Sequence, residues 1–433
     1  MLLIYRIQCP KFPAGVKINA MSRYAQYIQV FTNRRIGAMA LLGFSSGLPL
    51  ALTGGTLQAW MAVEGVDLRT IGIFALVGIP YSAKFLWSPF MDRFVPPWLG
   101  RRRGWMLIMQ LMLMLGISAM AFSSPKNAPL LVAMLALWTA FFSASQDIVV
   151  DAYRTDILKE EERGSGAAVF VTGYRVAMLI SGAVAMVLSD SIGWRFTYIL
   201  MAFLMGIGML TAIFAPEPEL KAAPPADILE AAWGPLRDFF SRRGALMLLL
   251  LIVFYKLCDA YAGTMTTAFL IRGMGFTAGE VGTVNKGFGL VALIIGATFG
   301  GALMVRLGQF RSLLYFGILQ AVSIISMSVL AWTGKNYMVM VTAVGLENLT
   351  GGMGTAAFVS LLMALCNRKY SATQYALLSS LASLGRIFIA PTSGFLAETV
   401  GWPNFFIIAA LTSLPGLGIL LFLRKEIDGI AKA

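Results

Sequence analysis

Runs of about 20 apolar residues, the length of helix that crosses a hydrocarbon core, follow one another down the whole chain. Polar joins, mostly short, separate them. Inside lipid every backbone N–H and C=O must be paired within the structure, so such runs are spanning helices rather than open strands. Of the 433 residues 58% are hydrophobic and 13% charged, and mean hydropathy is +0.76. An average soluble domain carries about 25% charged residues. A large soluble helical protein is therefore excluded as the simple account.

The runs predict an all-α membrane protein with twelve spans: 37–60, 70–91, 104–122, 130–150, 165–188, 196–215, 245–271, 280–305, 313–332, 338–365, 373–398 and 402–423. The longest polar interval, 216–244, opens with the proline-rich PEPELKAAPPAD and divides the spans into two sets of six. The organisation expected is a leader (1–36), an N-terminal bundle (37–215), a linker (216–244), a C-terminal bundle (245–423) and a tail (424–433). Met21 is a second plausible start, so residues 1–20 read either as an upstream translation extension or as a flexible leader. A weak echo relates the halves: Arg175, Gly182 and Gly193-Trp194 recur as Arg386, Gly394 and Gly401-Trp402 at similar spacing.

Orientation follows from the basic residues. The join between the second and third spans holds Arg93, Arg101, Arg102 and Arg103. On its side of the membrane lie 24 of the 34 Lys and Arg, and the opposite loops hold 5. Basic loops stay in the cytoplasm, so both termini and the linker are expected there, with the arginines facing anionic lipid head groups or helix ends. The net charge of +13 is spread over alternate short loops rather than over one broad face, which argues against a nucleic-acid partner.

The chain has no histidine, and its three cysteines form no CxxC pattern. Histidine-based catalysis, a Ser/His/Asp site and histidine-ligated metals are thereby removed, and no cofactor is expected. There is no GxxxxGK[ST] loop, hence no visible ATP motor. A transporter built this way uses an ion gradient or equilibrates its solute, and proton coupling would fall to a carboxylate or another non-histidine group.

Five basic residues lie inside spans: Lys84, Arg175, Lys256, Lys286 and Arg386. Acidic candidates in or at the ends of spans are Asp147, Asp151, Asp259, Glu347 and Glu398. Any one can be a helix-to-helix pair or a side chain reaching the interface, but so many in one bundle point to a lined path. Lys256 and Asp259 share a helix face, as a local pair or as two sides of a solute contact. Asp147 and Asp151, four apart, also share a face. Asp151 and Asp156 are alternatively interface residues paired with Arg154 or Arg163. The glycines Gly43, Gly47, Gly54 and Gly55 read equally as close helix packing or as a broken helix beside a solute path. Trp60, Tyr81, Trp87, Tyr255 and Tyr261 are sugar platforms or interface anchors, the latter reading favoured for Trp87 and Trp60.

Twelve spans in two sets of six, with Asp92-Arg93 and Gly100-Arg101-Arg102-Arg103 after the second, resemble the major facilitator superfamily. Within it the chain resembles the anhydromuropeptide permease family. The stretches that carry this are SSGLPLALTGGTLQAWM (45–61), KFLWSPFMDR (84–93), GRRRGW (100–105), SASQDIVVDAYRTD (143–156), YKLCDA (255–260), ENLTGGMGTAAFVSLLMALCN (347–367) and SATQYALLS (371–379). The resemblance implies proton-driven import of N-acetylglucosaminyl-1,6-anhydro-N-acetylmuramyl peptides across the inner membrane of a Gram-negative bacterium. It also implies a place in peptidoglycan recycling and, in some species, a signal for β-lactamase induction. The family's polar motif falls on Gln146 and Asp147, implying solute hydrogen bonding and coupling respectively. Lys84, Lys256, Asp259, Lys286, Glu347, Asn348 and Gln374 are further pathway candidates, with Asp151, Arg175 and Arg386. Asp92 is expected to join a charge network that favours one gating state. The protein is expected to work as a monomer. The competing readings are a same-fold transporter of a drug or sugar, and a non-transporting sensor or lipid-handling protein.

Overall fold

The computed structural model describes residues 34–158, 163–217, 244–365, 378, 380–383 and 385–430. All regular structure among them is helical. The segments used below are α1 Arg34–Val63, α2 Leu68–Ala83, α3 Arg101–Ala121, α4 Pro129–Ile157, α5 Arg163–Leu179, α6 Ala185–Phe214, α7 Ala245–Gly273, α8 Ala278–Leu307, α9 Gln309–Thr333, α10 Tyr337–Ala364, α11 Ser380–Ile389 and α12 Thr392–Phe422.

Among the described residues eight continuous helical stretches are long and apolar enough to cross a membrane. One of them, Val169–Phe214, runs for 46 residues. At 1.5 Å per residue that is about 70 Å, more than two hydrocarbon thicknesses. Gly193, at φ 77°, breaks it, and Gly401, at φ 75°, breaks α12 in the same way. Only glycine adopts that backbone at little cost. The two corners carry the same pattern of acid, hydroxyl, β-branched residue, Gly and Trp, as Asp190-Ser-Ile-Gly-Trp and Glu398-Thr-Val-Gly-Trp.

The second predicted span differs from the continuous helix expected. It is assembled from the α-helix Leu68–Ile73, a tighter turn Phe74–Gly78, the α-helix Ile79–Ala83, a second tight turn Lys84–Leu86 and the α-helix Ser88–Arg93. Pro80 and Pro89 sit in the first turns of two of these pieces, where a missing N–H costs least.

Both readings of the glycines in α1 hold at different positions. A side chain on Gly43 or Gly47 would collide with the carbonyls of Phe170 and Tyr174 in α5, and one on Gly173 would collide with Ala40. These residues let two backbones touch. Gly54, at φ −114° and ψ −112°, breaks the helix instead. In the other half the same device joins α8 to α10, where Gly296 abuts Leu349 and Gly352 abuts Leu293.

The halves meet along two seams. Gly72 and Gly394 bring α2 against α12, facing Pro391 and Leu68. Gly282 brings α8 against Ala183 and Met186. Wide π-turns at Ile180–Val184, Gly282–Phe288 and Gly385–Ile389 lie beside the space between the halves. Such turns add a residue to one helical turn and re-aim its side chains, as is common near functional sites.

Candidate functional site

A cavity lies between the two halves and has two lobes of about 440 and 470 Å³. Leu50, Gly54, Asp259, Gly263 and Arg386 line both. The first lobe adds neutral hydroxyl and amide groups from Thr53, Gln58, Tyr81, Ser82, Thr264 and Ser383, over apolar walls such as Leu57, Phe74 and Val77. The second adds Arg175, Lys286 and Glu347, with Thr56, Thr266, Asn285 and Asn348. The break at Gly54 and the π-turns put these side chains there: Gly182, Lys286 and Arg386 each belong to one of the wide turns.

In the second lobe the charges are held apart. Glu347 is 8% exposed, and its Oε2 has no hydrogen-bond partner among the described residues. Burying a carboxylate in this way is costly unless something pairs with it. Arg175 and Arg386 are exposed into the space and have no hydrogen-bond or ion-pair partner among the described residues. Lys286 lies against Gly55, where a Cβ would meet its ammonium at 2.9 Å. Asn348 spends its amide on the Val344 carbonyl at 2.9 Å. Lys256 and Asp259 do form the local pair, at 2.9 Å, and the lysine also reaches Gln320 Oε1 at 3.4 Å.

Gln146 and Asp147 line neither lobe. Gln146 is fully buried, donating to Ser46 Oγ at 3.3 Å and Ser45 Oγ at 3.5 Å. Asp147 is half-buried among Ser46, Lys84 and Asp151. These groups make a polar cluster inside the first half. Asp151 is exposed and pairs with Arg154 at 3.1 Å. Gln374 lies outside the described residues, as do the side chains of Asp92 and Arg93.

Of the five aromatic candidates only Tyr81 lines the cavity. Trp60 is 3% exposed, stacked 6.0 Å from Trp194 and tilted against Tyr198 at 5.0 Å, so it is neither platform nor interface anchor. Tyr255 gives its hydroxyl to the Leu313 carbonyl at 2.8 Å, and Tyr261 shares one with Thr392 at 3.0 Å. Both are core packing. Trp87 donates to Ser145 at 2.9 Å.

The 101–103 arginines sit at helix ends. Arg103 donates to the Ala212 carbonyl at 2.9 Å and to that of Ile213, at the C-terminus of α6. Arg102 pairs with Asp156 at 2.8 Å. Glu217 in turn accepts from the Arg102 and Arg103 backbone at the N-terminus of α3. Cations at a C-terminus and a carboxylate at an N-terminus both complement the helix dipole.

Sequence reasoning missed how the opposite end closes. The Asp190 carboxylate accepts from the Gly279 N–H at 2.7 Å, at the start of α8. That start is further fixed by a capping box between Thr277 and Glu280. Glu398 accepts from the Leu68 N–H at 3.0 Å, at the start of α2, and pairs with Arg69 at 2.6 Å. Each acid stands three residues before a corner glycine and grips the first turn of a helix in the other half. Arg272 adds a bond to the Val66 carbonyl. Beside it Asp67 caps α2 by accepting from the Thr70 N–H at 2.9 Å and its hydroxyl at 2.7 Å. Partial burial works against the charge on Asp67, but these bonds and Arg272 outweigh it and hold the carboxyl below its usual range. Ser82 and Ser383 touch through their hydroxyls beside the first lobe. The repeated Gly-Trp was visible in sequence, and the acid before it was the signal that could have found this closure.

A family model described as the Major Facilitator Superfamily matches residues 39–377. The anhydromuropeptide permease of Escherichia coli (strain K12) is 52% identical over 405 residues, covering 93% of this chain and 82% of that protein. A putative transporter, AmpG 4, of Rickettsia felis is 34% identical over 410 residues, covering 92% and 99%. Among solved structures, the nucleoside transporter NupG superimposes with a TM-score of 0.71 at 12% identity, covering 90% of this chain and all of that one. A POT family transporter gives 0.70 at 12% identity, covering 91% and 96%. These last two bear on fold alone.

Proposed function

This chain belongs to the anhydromuropeptide permease family of the major facilitator superfamily, and we propose that it imports N-acetylglucosaminyl-1,6-anhydro-N-acetylmuramyl peptides into the cytoplasm, driven by protons. It is a multi-pass membrane transporter rather than an enzyme. The observation that carries the substrate reading is the cavity itself. One lobe adds uncharged hydroxyls and amides over apolar walls, the other adds Arg175, Lys286 and Glu347, and Asp259 and Arg386 line both. A disaccharide joined to a peptide needs both kinds of surface.

The cycle is alternating access about the space between the halves. On this reading the closure through Asp190, Glu398 and Arg272, on the side with few basic residues, is the periplasmic closure. The full reading has twelve spans in two bundles of six, both termini and the linker cytoplasmic, and the inner membrane as location. The protein works as a monomer, with Arg101–Arg103 near anionic head groups. With no ATP-binding loop in the chain, uphill uptake draws on the proton gradient, and Asp147 is the group assigned to carry the proton. Its surroundings support this: a carboxylate with a lysine, a serine and a second carboxylate nearby has both a reason to ionise and a reason not to. Imported fragments then feed wall recycling and supply the signal for β-lactamase induction.

The test is uptake of labelled anhydromuropeptide into proteoliposomes with an imposed pH gradient, acid outside. Accumulation above equilibrium that stops when the gradient is dissipated is the expected result. No uptake of the muropeptide, with uptake of a drug or simple sugar, would transfer the protein to another substrate class. A reporter active only in the periplasm, fused after Ala433, should stay silent, and activity there would reverse the topology.

A further inference from the structure

Buried hydroxyls in these helices mostly turn to a backbone carbonyl. Thr139, Ser181 and Thr211 each donate to the carbonyl four residues earlier. Tyr153, Tyr198 and Tyr255 each donate to a carbonyl of another segment. Ser143 and Tyr81 depart from both patterns: their hydroxyl oxygens are buried and have no hydrogen-bond partner among the described residues. Ser143 of α4 is nonetheless near enough to the Tyr81 hydroxyl of α2 to interact with it, and Asp147 is near enough to act on it through charge. We propose that these two hydroxyls are the link that passes a proton between the cavity and Asp147. This rests on the reading that Asp147 carries the proton. It goes further by connecting that carboxylate, which lines neither lobe, to the solute space.

The placement gives the link a direction. Tyr81 is its cavity end, since it lines the first lobe, whereas Ser143 lines neither lobe and is 1% exposed. Ser143, Asp147 and Asp151 then follow one another at intervals of four, so they share one face of α4 with about 6 Å of rise per step. Exposure increases along that stripe, from buried Ser143 through half-buried Asp147 to exposed Asp151. The stripe runs toward the end of α4 where Asp156 pairs with Arg102, the side assigned to the cytoplasm. Around Asp147 it is faced by Ser46 of α1, Lys84 of the turn after α2 and Tyr174 of α5. Asp147 thus has the cavity on one side, through the hydroxyls, and Asp151 on the other.

The step is a concerted shift of protons in which no bond between heavy atoms changes. Tyr81 accepts a proton from hydronium in the cavity as it gives its own hydroxyl proton to Ser143. Ser143 in turn gives its own to a carboxylate oxygen of Asp147, directly or through a bound water. Each hydroxyl ends with the proton it received, so the cavity has lost one proton and Asp147 has gained one. Both hydroxyls then rotate back. A hydroxyl serves here because it donates and accepts at once. One committed to a backbone carbonyl, as at Tyr198 or Ser181, has its proton already placed.

The experiment uses the full chain in proteoliposomes, with labelled anhydromuropeptide outside and a pH-sensitive dye inside to read proton entry. Ser143→Ala removes one hydroxyl from a helix that accepts alanine readily. Gradient-driven uptake and solute-induced proton entry are each expected to fall at least about tenfold, while solute exchange without a gradient keeps the parental rate. Tyr81→Phe keeps the ring on the cavity wall and removes the other hydroxyl. Because the two act in series, the double variant should lose no more proton entry than the worse single one. Losses that multiply in the double variant overturn the link, as does parental proton entry in Ser143→Ala. Exchange and gradient-driven uptake that fall together in Ser143→Ala also overturn it, and leave the hydroxyl a structural role. Wild-type protein that accumulates no muropeptide would instead overturn the proposed function, and Asp147→Asn with unchanged proton entry would overturn the role of Asp147, so the failures are told apart.

Discussion

The two halves place their charges differently. In the first half Asp147, Lys84 and Gln146 line neither lobe and lie together within one bundle. In the second half Asp259, Lys286 and Glu347 are on the wall itself. A carboxylate off the lining can change protonation without touching solute, whereas one on the lining is occupied or vacated with it. Under the proposed function the difference assigns proton handling to the first half and solute recognition mostly to the second. Arg175 is the one charged side chain that the first half contributes to the lobes.

The sharpest way to break that division is to neutralise one carboxylate in each half. Asp147→Asn keeps the volume and removes the titration. Gradient-driven uptake should fall by about tenfold or more while solute exchange survives, on the scale of a coupling free energy between sites. Glu347→Gln should leave the remaining uptake as dependent on the pH gradient as the parent. If the two variants exchange phenotypes in paired uptake and exchange assays, the division is wrong. Glu347 or Asp259 then becomes the coupling group.

A second contrast concerns stiffness. The tight glycine seam of the first half joins α1 to α5, and that of the second joins α8 to α10. Glu347 and Asn348 stand on α10, and Lys286 on α8, so the solute wall of the second half is built on its most closely packed pair. Gly43→Ala and Gly352→Ala push a methyl group against a carbonyl and should each destabilise by about 1–3 kcal/mol. Gly206→Ala, where a Cβ meets nothing within 4 Å, should be neutral or stabilise by up to about 1 kcal/mol. Thermal unfolding of purified protein in detergent reads all three. Equal behaviour of the three would mean the seams are not tight.

The closures at the far end predict the smallest effects. Asp190→Asn weakens a carboxylate cap worth about 0.5–2 kcal/mol. Glu398→Gln also gives up the pair with Arg69, whose half-exposed side chain makes that contact worth about 0–1 kcal/mol more. Each should raise thiol accessibility of a cysteine placed in the cavity when probed from the periplasm, the Glu398 variant slightly more. A variant that leaves labelling unchanged removes its acid from the closure.

What could be read from sequence follows from range. The helical class depends on neighbours a few residues away and is found as expected; eight apolar stretches stand among the described residues where twelve spans were expected, and of the two readings of Lys256 and Asp259 the local pair is the one present. Asp190 meets a partner 89 residues on, and Glu398 one 330 residues back, so no local pattern announces them. The same limit separates Trp60 from Tyr81: both are large aromatics in apolar segments, and only tertiary packing buries one and leaves the other on the cavity. Asp147 was legible as an acid inside a span, but its place among Ser46, Lys84 and Asp151 depends on how α4 lies against α1 and α2.

Where α2 meets α12, Gly72 and Gly394 leave no side chain between the backbones. Surfaces that close cannot slide past each other, because any shift along the axis brings a Cβ into a carbonyl. They can still tilt. The contact therefore serves as a fulcrum near one face of the membrane, with the rest of each half as a lever arm. Over a hydrocarbon core about 30 Å thick, a tilt of about 20° about such a point moves the far ends by about 10 Å. A passage wide enough for a sugar ring can thus open and shut at one face while the atoms at the pivot stay almost still.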